Sequence, residues 1–534
     1  MRLAHRAAFA TLVAALTLAL PALAHAATYC VNAPGCSGTQ ETTLQAALTA
    51  AQGTTTEADT VQVGDPGPPT SSGYTYADGG LPANQVAIVG AGPGTTVLTR
   101  TTSGAVLQVI GPGSTISGLT VQMPAGSSDG ITTSGSLDNV NITSLDDGSG
   151  SPVGVDFLSG GTTEHWIGGT MTLPAGSGSR LGILNGMGAG GTLDLEDLTI
   201  GAATQGVVGG NANTTIARRV SLAADIGFIA QGDQMTLDDV AFRSLGAPGI
   251  FAVADTVGGN NGALNLNHVS AFGDGGQNSI GVIAESNNPN RSATVTMRNS
   301  IVRNFFFDYQ QEADGTDTTA NINVSYSDFS TVHGTVNNIS GGTGGVTAGP
   351  GVVDDDPRFA NPAAGDFSLL PGSPAIDTGD PAGLAAGDST TDLLGAPRIS
   401  GARQDMGAVE FQFPAPVPPP VRDTAAPSLK LAKLPKKLKL SQLVKGFSFT
   451  VTPSEPSSII ATLAGSASSV KLAKSFNFTL AQKKLGLKAG KRKITLKVKR
   501  KLLGKSRKFT VRLTIVATDA SGNKKTVTRT IKVH

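Results

Sequence analysis

The chain has 534 residues, with 69 Gly, 29 Pro, 5% aromatic and 15% charged residues. That length allows two to four domains, and the composition excludes a coiled coil or a typical helical enzyme. The net charge of +1 hides a division: residues 1–421 carry 13 Lys+Arg and 36 Asp+Glu, residues 422–534 carry 27 and 3, and every lysine lies at or after Lys430.

Residues 1–26 read as a secretory signal peptide. Arg2 and Arg6 precede an apolar run over 7–20, Pro21 breaks it, and Ala24-His25-Ala26 supplies small residues for cleavage. A transmembrane helix is the alternative, but the run is short for a hydrocarbon core of ~30 Å. No later segment is apolar enough to span a membrane. The only cysteines, Cys30 and Cys36, are expected to form a small-loop disulfide after export and to tie down the mature N-terminus. A redox or metal role has no neighbouring histidine to support it.

Leu44, Ala47, Leu48 and Ala51 fall at helical spacing before Gly53. Short β-rich runs follow, and they repeat. One ladder is Gly130-Ile131, Gly154-Val155, Gly182-Ile183, Gly206-Val207, Gly227-Phe228, Gly249-Ile250 and Gly281-Val282. A second, out of phase, contains Leu137, Val140 and Ile142; Leu195, Leu198 and Ile200; Ala217, Val220 and Leu222; Leu237, Val240 and Phe242; and weaker copies at Leu266 and Met297. Repeats of this length holding two or three strands predict a solenoid, whose coils bury apolar side chains only by stacking. A sandwich gives no reason for the same tripeptides to return at coil spacing.

With its amphipathic stretch at 41–52 leading into Asp59-Thr60-Val61-Gln62-Val63, residues 28 to about 340 resemble the secreted bacterial right-handed parallel β-helix proteins of the pectate-lyase-like superfamily. The resemblance implies an all-β chain: an N-terminally capped right-handed parallel β-helix over 27–345. It does not by itself imply catalysis. Asp356-Pro357-Arg358-Phe359, Asp366-Phe367-Ser368-Leu369, the run from Pro371 to Asp377, Gly395-Ala396-Pro397-Arg398 and the run from Asp405 to Glu410 resemble the choice-of-anchor Q module. That implies a closing module over 346–413 and a secreted or surface-held protein. Asp354-Asp355-Asp356 and Asp377 would otherwise read as calcium ligands; the resemblance favours turn and cap roles. Calcium is the one cofactor left open.

Residues 414–422 form a Pro-rich spacer, extended at ~3.1 Å per residue. Residues 423–534 read as a small β sandwich, with Phe447, Phe449, Val451, Ile494, Leu496, Val498, Phe509, Val511, Leu513 and Ile515 alternating inward. Asp423-Thr-Ala-Ala-Pro427, with the run 516–523, resembles bacterial immunoglobulin-like surface domains. Lys493, Lys497, Lys499, Arg500, Lys501, Lys505, Arg507 and Lys508 are the candidate anion-binding residues. Lysines guard strand edges, yet so dense a field should also attract polyanions. The domain has no Tyr or Trp for stacking bases. An anionic envelope polymer or anionic lipid headgroups are therefore the preferred partners, with no specific nucleic acid.

Aligned on the second ladder, one outer column reads Glu196, Arg218, Asp238 and the next reads Asp197, Arg219, Asp239, His268. Catalytically, Asp197 and Asp239 would be the acid–base pair of a glycoside hydrolase, or metal and substrate ligands of a lyase in which Arg219 is base or clamp. Alternatively the columns are a charge ladder, each pair worth ~0.2–1 kcal/mol, which accounts for both columns at once. Glu196, Arg218, Asp238, His268 and Trp166 are candidate ligand-binding residues, although a loop anchor is the preferred role for Trp166. No metal constellation is visible. The sequence thus points to a monomeric exported protein binding carbohydrate or a surface partner, with a polysaccharide lyase or hydrolase as the alternative.

Overall fold

The computed structural model describes residues 26–54, 58–79, 84–126, 129–145, 151–158, 162–173, 179–210, 212–257, 259–413, 423–465, 478–503, 505 and 507–534. The expected signal peptide (apart from Ala26) and the Pro-rich spacer lie outside them. The chain divides into two compact units, Met1–Phe413 and Pro414–His534.

The first unit is a three-faced parallel solenoid. Among the described residues, 25 strands join one sheet network, and every pairing within it is parallel. The first face begins at Thr28–Val31, passes through Asp59–Val63 and Val86–Gly90, and ends at Thr343–Ala348. Its inner column stacks Leu137, Trp166, Leu195, Ala217, Leu237, Leu266, Met297 and Val324 in direct register. All are buried in one continuous apolar core.

A corner follows each first-face strand, and it explains the second ladder. Leu195 points inward, Glu196 and Asp197 point away from the core, and Leu198 points inward again. A strict two-residue alternation cannot do that. The extra residue adopts the left-handed conformation: Asn139, Asp197, Arg219, Asp239, His268 and Asn299 have φ between 49° and 57°. Asn, Asp and His tolerate that region better than most side chains. The three-residue step from Leu195 to Leu198 is thus the sequence trace of a corner.

The third face carries the glycine ladder. Ile131, Val155, Ile183, Val207 and Phe228 are in register. A Cβ on Gly154 would lie 2.7 Å from the Gly182 carbonyl oxygen, and one on Gly206 2.6 Å from that of Gly227, so close approach of successive coils demands glycine here. One rung is corrected. Phe228 pairs with Ala252, which pairs with Val282; Gly249-Ile250 stands two residues early, and Phe251 takes the glycine place.

At the N-terminal end, helix Leu44–Gln52 buries Leu44, Ala47, Leu48 and Ala51, as its periodicity predicts, and Thr43 caps it by accepting from the Ala46 amide. Cys30 and Cys36 form a disulfide. At the other end, residues 354–413 hold one hairpin, Phe359–Asn361 with Asp366–Leu369, and otherwise mostly turns. This segment folds back along the solenoid. Phe359, Phe367, Leu369, Met406, Ala408 and Val409 pack with Ala241 and Ile301, two outward residues of the second face.

The second unit is a two-sheet β sandwich. Leu429–Ala432, Phe447–Pro453 and Arg492–Leu496 form one sheet; Lys437–Leu438, Lys524–Val533, Phe509–Asp519, Ser457–Gly465 and Phe478–Lys488 form the other. The predicted alternating residues meet in one core. A short helix, Leu440–Lys445, was not legible in the sequence; it places Leu443 in that core.

Candidate functional site

The two predicted charge columns exist in the predicted register: Glu196 pairs with Arg218, Arg218 with Asp238, and Asp238 with Asn267. Their chemistry is local. Arg219 grips Asp197 through two hydrogen bonds, Nε to Oδ1 at 2.6 Å and a terminal nitrogen to Oδ2 at 3.0 Å, and also reaches Glu196. Arg218 binds Asp194 at 2.7 Å. The hydrogen bond that it donates to Asp197 drives the Arg219 guanidinium further above its ordinary range, against the opposing effect of burial. A guanidinium so held remains protonated and is a poor acceptor of a substrate proton.

The next two coils depart from the sequence expectation. Asp238, Asp239 and His268 are not on an open flank; they are buried beneath the folded-back segment. Asp239 forms an ion pair with Arg398, both side chains being fully buried. Arg398 also donates to the carbonyls of Gly407 and Ala408, at 2.9 and 2.7 Å. Asp238 accepts from Asn267 Nδ2 at 2.8 Å and from the Ser389 amide at 2.9 Å. His268 bridges Asp238 and Gln404, at 3.1 Å each. Burial pushes the Asp239 carboxyl up to about 7 against the pull of Arg398. Burial also raises Asp238, but the hydrogen bond and charge of His268 prevail and hold it below the carboxylate range. Burial, with the charge of Arg398, holds the His268 imidazole low. Arg398, Gln404 and Ser389 lie more than a hundred residues from these partners, so no spacing rule could have found them.

Trp166 is also corrected. It is neither a loop anchor nor a sugar platform: its ring is fully buried, it fills the ladder place between Leu137 and Leu195, and its indole donates to the Gly168 carbonyl at 3.0 Å.

A site the sequence reading did not assemble lies where the last coils meet the folded-back segment. A cavity of 770 Å³ is lined by Phe272, Phe359, Arg303, Arg358 and the Asp354-Asp355-Asp356 run, among others. Arg303 bridges Asp354, at 2.6 Å, and the buried Asp328. Asp308 lies 3.4 Å from His333, and burial pushes its carboxyl up to about 6 despite Arg303 and His333. Asp354 is held low: burial opposes this, but hydrogen bonds from Ser330 and Arg303 prevail.

Among the described residues, two groups of side chains could supply three metal-ligand atoms within 4.8 Å of one another: Asp238, Asp239 and His268, and, in the sandwich, Asp423, Glu455 and Asp519. Arg398 already provides a cation to the first. In the second, Asp519 accepts from the Asn523 amide at 2.8 Å and from its Nδ2 at 3.0 Å. The calcium candidates of the sequence serve local contacts: Asp356 accepts from the Arg358 amide at 2.9 Å and Asp377 from the Arg403 amide at 3.0 Å.

The basic candidates are scattered over the sandwich surface. Lys493 stands outward opposite Thr450. Lys497 and Lys499 follow that strand, Arg500 and Lys501 lie in a 3-10 turn, and Lys505, Arg507 and Lys508 precede the strand Phe509–Asp519. All eight are exposed, as is every other described lysine. Among the described residues no helix is long and apolar enough to cross a membrane.

No protein-family model matches the chain, and no curated protein matches it.

Proposed function

We propose that this is an exported, surface-associated protein whose β-helix is a rigid scaffold presenting a polar flank to carbohydrate or a partner, while the basic sandwich holds it on an anionic envelope polymer. The observation that carries this reading is the charge of the sandwich. Its sequence has 27 cationic and only three acidic residues, and those three, Asp423, Glu455 and Asp519, sit together. All described lysines of the domain are exposed, and so dense a cationic charge favours polyanions through counterion release. The Cys30–Cys36 disulfide supports an oxidising compartment, and the likenesses to β-helix, anchor-module and immunoglobulin-like surface proteins support the same location. The reading does not need the Asp197–Arg219–Asp239 column to be catalytic: Arg219 and Asp239 are each neutralised by a neighbour.

One observation favours a second reading, a polysaccharide lyase or glycoside hydrolase. Asp354, which lines the 770 Å³ cavity, and Asp308, which feels the charges of Arg303 and Asp354, are displaced in opposite directions, which is how acid and base roles are separated. A single assay of the full chain divides the readings. Salt-sensitive retention on anionic polymers with no new reducing ends or unsaturated uronates supports attachment. Turnover lost on Asp308→Asn or Asp354→Asn replaces it with the enzyme.

A further inference from the structure

The cations of the sandwich are not spread evenly, and the residues that line its cavities are mostly not those that stood out in the sequence. Two cavities, of 400 and 390 Å³, flank the segment 433–438. The first is lined by Lys437, Lys508 and Lys532 over a floor of Phe509 and Val533. The second is lined by Lys433, Lys436 and Arg529 over Leu429, Leu431 and Leu434. Among the described residues no acidic side chain lines either, and the first is also bordered by His534. The three acids of the domain meet at Asp519, the far end of the strand that begins at Phe509, roughly 30 Å from the first hollow at ~3.3 Å per residue; the second lies nearer them, its Val527 paired with Ile515 and its Leu429 with Pro453.

This arrangement carries a standing electrostatic cost. Lys437 and Lys532 are direct partners on neighbouring strands, both exposed, where like charges repel. Guarding a strand edge needs one or two lysines, whereas here six cations surround two adjoining hollows.

The chemistry of the hollows narrows the ligand. Five of the six cations are lysines, point charges that suit phosphate, and the bidentate fork that pairs with carboxylate or phosphate is present only once, at Arg529. Phe509 is buried and the domain has neither Tyr nor Trp, so bases find nothing to stack on. Leu487 is the only large apolar side chain exposed among the domain's described residues, too little for insertion into a bilayer. The leucine floor accepts short aliphatic linkers. Resting on the attachment reading above, we propose that the two hollows on either side of 433–438 are a single binding site for a polyol-phosphate polymer, a chain of phosphodiesters joined by small aliphatic units.

The test uses the full chain, synthetic poly(glycerol phosphate) as probe, and three proteins: wild type, the site variant Lys433→Gln/Lys437→Gln/Lys532→Gln, and the control Lys483→Gln/Lys484→Gln/Lys488→Gln, which removes the same charge from another strand. All six positions are exposed, so neither variant should melt below wild type, and the site variant, relieved of the Lys437–Lys532 repulsion, should melt at or slightly above it. Six phosphate contacts predict a slope of log K against log salt of about −4, falling to about −2 in the site variant, with affinity lower by at least about tenfold; the control should lose no more than about threefold. Equal losses in both variants overturn the site but leave polymer attachment standing. Tighter wild-type binding to polygalacturonate or to phosphatidylglycerol vesicles overturns the ligand class. Absence of wild-type binding to all three overturns the attachment reading itself.

Discussion

At the scale of single residues, the corner position decides what the column residues do. Asp197, Arg219, Asp239 and His268 share left-handed backbone, so side-chain chemistry there is constrained by conformation before any function. Asp197→Asn, which keeps a side chain tolerant of left-handed backbone, removes the charge of a half-exposed partner of Arg219 and should cost no more than about 1 kcal/mol. Arg398→Met is different: it leaves the Asp239 carboxylate buried and unpaired, and should cost about 3–5 kcal/mol, partly recovered in Arg398→Met/Asp239→Asn. Chemical denaturation of the three proteins measures both. Glu410 supplies a pH dependence. Burial, then the nearby Asp405, pushes its carboxyl up to about 8. A raised acid stabilises the fold fully below its unfolded value, and that stability is lost as pH rises through the folded value. The low-lying His268 contributes no slope above its unfolded value of about 6.5. Between about pH 6.5 and about pH 8.5, therefore, the apparent melting temperature should fall. Asp239 and Asp233, each raised by burial to about 7, add to the fall below about pH 7.5, so Glu410→Gln should flatten it mainly above that; an unchanged slope there would mean that another group titrates.

At the scale of elements, the solenoid stands on its stacked columns. Leu237 is fully buried between Ala217 and Leu266, and Leu237→Ala should cost about 2–5 kcal/mol through lost transfer energy and a cavity. Trp166 in the same column should cost about 3–5 kcal/mol on truncation; if Trp166→Ala melts like wild type, its place in the core is wrong. At the N-terminal end, the six-residue separation of Cys30 and Cys36 closes a short loop, so Cys30→Ser/Cys36→Ser should lose only about 2 kcal/mol, read as a shift in denaturation midpoint between oxidised wild type and the double variant.

At the scale of the whole molecule, opposite charges are sorted into different units. The acidic body uses its carboxylates internally: Asp194, Glu196 and Asp197 hold Arg218 and Arg219, Asp328 and Asp354 hold Arg303, and Asp239 holds Arg398. The basic unit has too few acids to do likewise. Polymer retention should therefore weaken steeply with salt, while the solenoid, held by apolar stacking, should keep its melting temperature over the same range. Measuring both in one salt series separates the two contributions.

Local rules were enough to read much of this protein from its sequence. The helix Leu44–Gln52, the inward ladder from Leu137 to Met297 and the alternating sandwich strands follow from the fixed periods of helix and strand, because burial acts on each residue according to its position within its own element. The signs of the charge columns were legible for the same reason. What the tertiary structure alone decided is which rungs of those columns are open to solvent. Residues 380–410 return across the second face and bury Asp238, Asp239 and His268, and Phe251 replaces the expected glycine rung at Gly249. Both results depend on contacts between chain segments whose sequence separation carries no period. Only the packed fold brings them together, and only there do desolvation and pairing settle whether a carboxylate is a partner for solvent or for Arg398.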